Sequence, residues 1–133
     1  MIRSPSFPES PIAAEIIPRL TQVAVGLASA HEDPEPASAL AVATTRGMAL
    51  EVAFGYAGIR DLEQDVPVYV VAMTGRFASY RGSGLSREPL PRFGPYLTVV
   101  IDAEELVPLD VTVGDTGPRR PLSDLGPVTD LRW

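Results

Sequence analysis

Three apolar runs in the second half of the chain constrain its fold more than anything else in the sequence. They are "VPVYVVAMTG" (66–75), "YLTVVID" (96–102) and "VPLDVTV" (107–113). The first two are apolar at odd and even positions alike, as expected of strands covered on both faces or lying mid-sheet. The third alternates: Val107, Leu109, Val111 and Val113 share one face, and Pro108, Asp110 and Thr112 share the other. Such a strand has one wet face, and its proline, which cannot donate to a ladder, predicts an edge. The short "AEEL" link between the last two runs predicts an antiparallel hairpin.

The first half has a different period. Pro5, Pro8 and Pro11 among serines mark residues 1–11 as a flexible tail. Ser10-Pro11 can start a helix within 12–30, because proline is accepted at the first helical position. Pro18 interrupts it, so the main piece is 19–30, with Leu20, Val23, Leu27 and Ala30 near the helical period. After the acidic connection "HEDPEP" (31–36), a second helix is expected over 38–55. Thr44 or Thr45 is its internal N-cap, Gly55 its stop, and Leu40, Met48 and Val52 its core-facing residues. A polar connector, "YAGIRDLEQD", leads into the strands, and Leu122, Leu125, Val128, Leu131 and Trp133 remain to pack back onto the sheet. The expected fold is α+β: a single two-layer domain over 12–133, with one or two N-terminal helices on an antiparallel sheet of three or more strands.

Composition narrows the function classes. A chain of 133 residues supports one modest core. Without cysteine it has no disulfide, thiolate nucleophile or thiolate metal site. A net charge of −6 opposes general binding to phosphate-rich surfaces. All 11 basic residues are arginine, and lysine and asparagine are absent, a bias expected of a GC-rich genome. No apolar stretch of signal-peptide length follows Arg3, and no run is long enough to span a bilayer. As written, the chain is expected to be cytoplasmic; a removed export signal would place it outside the cytoplasm.

At "YLTVVIDAEELVPLDVTVG" the chain resembles the PepSY-type module, in which a helix precedes strands and one strand ends in Asp-Ala before a glycine-containing turn. Asp102-Ala103 matches that strand end, "VYVVAMTGRF" matches the middle strand, and Glu105 stands where glycine is usual. The resemblance covers residues 66–113 and implies a non-catalytic, often envelope-associated module proposed to bind or inhibit peptidases. The layout of "TTR", "VYVV", "GRF" and "VVIDA" also resembles uncharacterised small actinobacterial proteins, which implies a genome type and no activity.

No catalytic constellation is legible. His31 is the single histidine and lies in a proline-broken connector. The carboxylate groups Asp61, Glu63, Asp65 and Asp102, Glu104, Glu105 fall in predicted turns, where acidic residues serve solvation and local hydrogen bonds. Neither a metal site nor a cofactor is expected. The outstanding stretch is 76–95, a long loop with a charge of +3 in a chain whose remainder sums to −9. Such a loop is uncommon unless functional or disordered. Arginines spaced by aromatics are typical of interface hot spots and of single-strand nucleic-acid platforms. Two outcomes are open: a solvated loop with Phe77 and Phe93 tucked onto its own sheet, or an arm. On the second, the expected function is a non-enzymatic module that grips a protein partner or its own twin through Arg76, Phe77, Tyr80, Arg81, Arg87, Arg92 and Phe93. In a twofold dimer, that arm would meet the acidic 31–36 or 61–65 connector. One alternative is a small-molecule-binding or catalytic domain with a pocket between helix and sheet, lined by Tyr69, Met73 and Tyr96. Another is weak single-stranded nucleic-acid binding, which the acidic remainder disfavours.

Overall fold

The computed structural model describes residues 12–54, 65–79, 92–115, 117–118 and 120–131. The expected tail 1–11, Gly55, most of the polar connector and Trp133 lie outside the described residues. The elements are α1 (Ile17–Ala30), β1 (Ser38–Thr45), α2 (Arg46–Phe54), β2 (Pro67–Ser79), β3 (Arg92–Asp102), β4 (Pro108–Gly114), a 3-10 turn (Leu122–Asp124) and β5 (Val128–Asp130). The five strands form one antiparallel sheet in the order β4-β3-β2-β1-β5. The α+β class and the N-terminal helix on the sheet are as the sequence predicts.

The expected second helix over 38–55 is only half right. Its first eight residues, SALAVATT, are strand, pairing with β2 from Ser38↔Thr74 to Thr45↔Pro67. Three alanines and one leucine favour helix by intrinsic preference, but a long apolar partner in β2 offers a full ladder, and tertiary pairing outweighs propensity. The helix starts where the Thr45 hydroxyl accepts from the Met48 amide (3.4 Å), so Thr45 is the cap. Leu40 and Met48 are exposed, and Val52 alone of the expected trio is buried.

α1 includes Pro18 in its first turn. It buries Leu20, Ala24 and Ala28, with Val23 and Leu27 half-buried, and leaves Ala30 outside. Two alanines on the buried stripe let the helix lie close to Ala39, Ala41 and Ala43 of β1, in a cluster that continues through Val71, Val99 and Ile101. The helix ends in a Schellman motif: the Asp33 amide donates to Ala28 O (2.9 Å) and the Glu32 amide to Ser29 O (3.0 Å). Glu32 occupies the left-handed position usually given to glycine, at φ 73°.

The domain is not two-layered throughout. The opposite sheet face buries Val42, Val68, Val70 and Val100 beneath Ala49 and Val52 of α2 and Leu122 and Leu125 of the C-terminal segment. Each such side chain contributes ~1.5–3 kcal/mol of burial. Arg46, at the head of α2, forks onto Asp110 of β4 through Nε–Oδ2 (3.2 Å) and Nη2–Oδ1 (3.4 Å), fastening the helix to the edge strand. β4 is the predicted edge, but its apolar side is less covered than expected. Val107, Leu109 and Val111 are exposed and only Val113 is half-buried. A register shift opposite Val100 and Ile101 breaks the alternation at Leu109.

The β3–β4 turn is built on Asp102, whose Oδ2 accepts from the Glu104 and Glu105 amides (3.2 and 2.6 Å). The left-handed residue is Leu106 (φ 56°), not Glu105, and its side chain is buried in the α1 cluster.

Thr44 is fully buried, and its hydroxyl has no hydrogen-bond partner among the described residues. Burying an unpaired hydroxyl costs stability, and an apolar isostere removes that cost. Thr44→Val is expected to raise unfolding stability by about 1 kcal/mol in urea melts; a loss of similar size would mean that the hydroxyl is bonded.

Candidate functional site

The 76–95 segment is shorter as a loop than the sequence suggests. β2 runs to Ser79 and β3 begins at Arg92, so both shoulders of the loop are paired strand. Phe77 is fully buried in the α1 cluster, which removes it from any surface a partner could reach. Phe93 is 44% exposed, and the Arg76 guanidinium lies over its ring, 4.1 Å from the centroid. Tyr80, Arg81 and Arg87 lie outside the described residues, as does the Arg92 side chain.

The acidic connector is docked on the base of this same hairpin. Between Thr74 and Phe77 the register of β2 shifts, leaving Gly75 and Arg76 without ladder partners on β3. Asp33 fills the gap: its Oδ2 accepts from the Arg76 amide (2.9 Å) and its Oδ1 from the Glu35 amide (3.1 Å). The Ala78 amide donates to His31 O (2.8 Å), and the Ala37 amide to Thr74 O (2.7 Å). Gly75 is required here, because a Cβ would collide with the Asp33 carboxylate. The His31 ring nitrogen Nδ1 is engaged with Leu27 O (2.8 Å) in the helix end. Among the described residues, no group of three or more histidine, cysteine, aspartate or glutamate side chains is placed to hold a metal ion.

Among the described residues, a cleft of about 450 Å³ lies on the α2 side of the sheet. Its origin is a mismatch of lengths. α2 has nine residues and β2 thirteen, which correspond to ~13 Å of helix and ~43 Å of strand. The helix covers the Val68–Val70 part of the face and cannot reach Ala72 and Thr74. These last two, with Leu40 of β1 and Tyr96 of β3, form the cleft floor. The roof is the C-terminal segment, with Pro118, Pro121 and Leu122, and Val128 of β5 also lines the cleft.

The roof is held in place. The Arg120 amide donates to Val52 O at the end of α2 (3.2 Å), Leu122 and Leu125 are buried, and Gly117 sits so close to Tyr96 that a Cβ would lie 3.2 Å from the ring. Two prolines restrict it further. The polar groups in the lining are few. Ser38 Oγ and Thr74 Oγ1 are 2.6 Å apart and bonded to each other, Ser123 and Tyr96 also carry hydroxyls, and Arg120 is a cation.

Of the three residues predicted to line a pocket, Met73 and Tyr96 border the cleft, but the Met73 side chain is buried on the other sheet face in the α1 cluster, so Tyr96 alone presents its side chain to the space. Tyr69 does not. It points to the α1 side, where burial raises its phenol above the ordinary value. The pocket lies between the sheet and the C-terminal segment, not between the sheet and α1. The signal that could have located it is "GPRRPL", a proline-bracketed stretch stiff enough to stand off a sheet. No protein-family model, curated protein or solved structure matches the chain.

Asp33→Ala removes two acceptors from the connector and the β2 irregularity. It is expected to cost about 1 kcal/mol and to accelerate amide hydrogen exchange at Arg76 and Ala78 while exchange at Val70 tracks only the global change. Unchanged exchange at Arg76 would show that Asp33 does not hold this junction.

Proposed function

We propose that this chain is a small-molecule-binding module whose ligand enters the cleft between the sheet and the C-terminal segment. The observation that carries this reading is the cleft itself: about 450 Å³, within the ~300–1,000 Å³ of small-ligand sites, mostly carbon-lined with a few fixed polar groups. Its floor is hydrogen-bonded sheet and its roof is proline-stiffened, so ligand binding requires little ordering of the protein. Water in such a space gains few polar partners, and an apolar ligand body displaces it favourably.

A thermal-shift screen with small apolar compounds tests the reading. A ligand present at 100 times its Kd stabilises the native state by about 2.7 kcal/mol, which should appear as a rise of several degrees in Tm. Leu40→Trp, at an exposed position of the floor, fills the cleft and should abolish the response. Stabilisation that persists in Leu40→Trp would place binding elsewhere.

A second reading is favoured by one contact. The Arg76–Phe93 stack presents a cation on a partly exposed aromatic face at the base of the arginine-rich hairpin, the kind of platform that engages an acidic protein surface or a second copy. Of the two acidic connectors that could meet it across a dimer, 31–36 binds the hairpin base within one chain through Asp33, and residues 61–64 of the other lie outside the described residues. Light scattering after size exclusion, at low and high salt, decides the dimer version: an arm-mediated dimer should dissociate in salt and in the variant with Arg81, Arg87 and Arg92 changed to serine. A salt-insensitive monomer with an identical variant removes it.

A further inference from the structure

We infer that the ligand of the cleft is an apolar monocarboxylate, with Arg120 as its counter-ion. This inference rests on the reading of the cleft as a ligand site. Among the described lining residues Arg120 is the one charged side chain, and no carboxylate faces the space. In a chain with 17 acidic residues and 11 arginines, the described lining holds one cation and no acid, and the Asp124 that pairs with this cation lies outside the lining.

Arg120 is held at both ends. Its backbone is tied to α2 through Val52 O, and its Nε donates to Asp124 Oδ2 at 3.0 Å. Among the described residues only Nε of the guanidinium is engaged, so both terminal amino groups remain as donors, and the side chain is 59% exposed. A guanidinium fork matches a planar carboxylate in geometry, and the charge-assisted pair is stronger than a neutral hydrogen bond. The i,i+4 pair with Asp124 is itself worth little at the surface, so it competes only weakly with a ligand carboxylate.

Asp124 also sets the charge of the ligand. The guanidinium is already paired with one resident carboxylate, so a monoanion meets less repulsion from Asp124 than a dianion such as a phosphate monoester does. The body of the ligand is set by the remaining surfaces: Leu40, Ala72, Val128 and the Tyr96 ring ask for hydrocarbon. The Ser38–Thr74 hydroxyl pair uses one of its two hydrogens internally, leaving a single donor and no charge.

The experiment is calorimetric titration of the full chain with octanoate and octanamide, equal in shape and different in charge, on the native protein and on Arg120→Gln. The expected result is octanoate binding about tenfold more tightly than octanamide, the size of one charge-assisted contact. In Arg120→Gln the two should bind equally, with octanamide affinity unchanged. Equal binding in the native protein, or a preference that survives Arg120→Gln, overturns the carboxylate inference and leaves the cleft reading standing. Octyl phosphate binding more tightly than octanoate overturns the monoanion. Failure of both octyl probes and of the wider apolar screen removes the cleft reading, and this inference with it.

Discussion

The rest of the structure depends on the need to cover β2 on both faces. Val68, Tyr69, Val70 and Val71 are all buried, alternately toward α1 and toward α2, in the central strand of five. A strand of this kind cannot tolerate water on either side, so the chain must supply a layer to each. α1 supplies the first. The second is assembled from pieces, α2 and the C-terminal segment, because no single helix of sufficient length is available. Arg46 on Asp110 and Arg120 on Val52 O hold those pieces to the sheet and to one another.

The cleft is a consequence of that piecemeal cover. Where α2 stops, the sheet face continues, and a proline-rich segment bridges the gap at a distance instead of filling it. Rigid cover with too little side-chain volume leaves space, and space over an apolar floor is what a ligand site requires. The functional proposal therefore grows out of a packing deficit and not out of a motif.

The hairpin that stands out in the sequence has a more structural role at its base. The Schellman end of α1 turns the chain so that Asp33 reaches the unpaired Arg76 amide, and the local density of acid in 31–36 is used partly to satisfy backbone. What looks like charge complementarity between separate segments is, at this junction, an intramolecular hydrogen bond of about 1 kcal/mol. The Arg76–Phe93 stack then sits on a braced strand pair.

The sequence alone determined the class of the fold, because patterning of apolar residues acts locally and independently of partners. The runs at 66–75, 96–102 and 107–113 specified strands and Pro108 an edge, while Thr44 and Thr45 were equal candidates for a cap and the structure chose Thr45. The sequence could not assign residues 38–45, where alanine's helical preference and the ladder offered by β2 compete and only the assembled sheet decides. The sequence also left open whether Phe77 packs on the sheet or joins an arm, and the packed structure buries it in the α1 cluster beside Tyr69, Val71 and Met73. Tyr96 was legible as a pocket residue, but the wall opposite it was not. That wall comes from residues more than twenty positions further along, and their approach is set by how far a nine-residue helix extends over a thirteen-residue strand. Such a length mismatch exists only between elements already packed together, which is why tertiary structure, and no linear pattern, located the cleft.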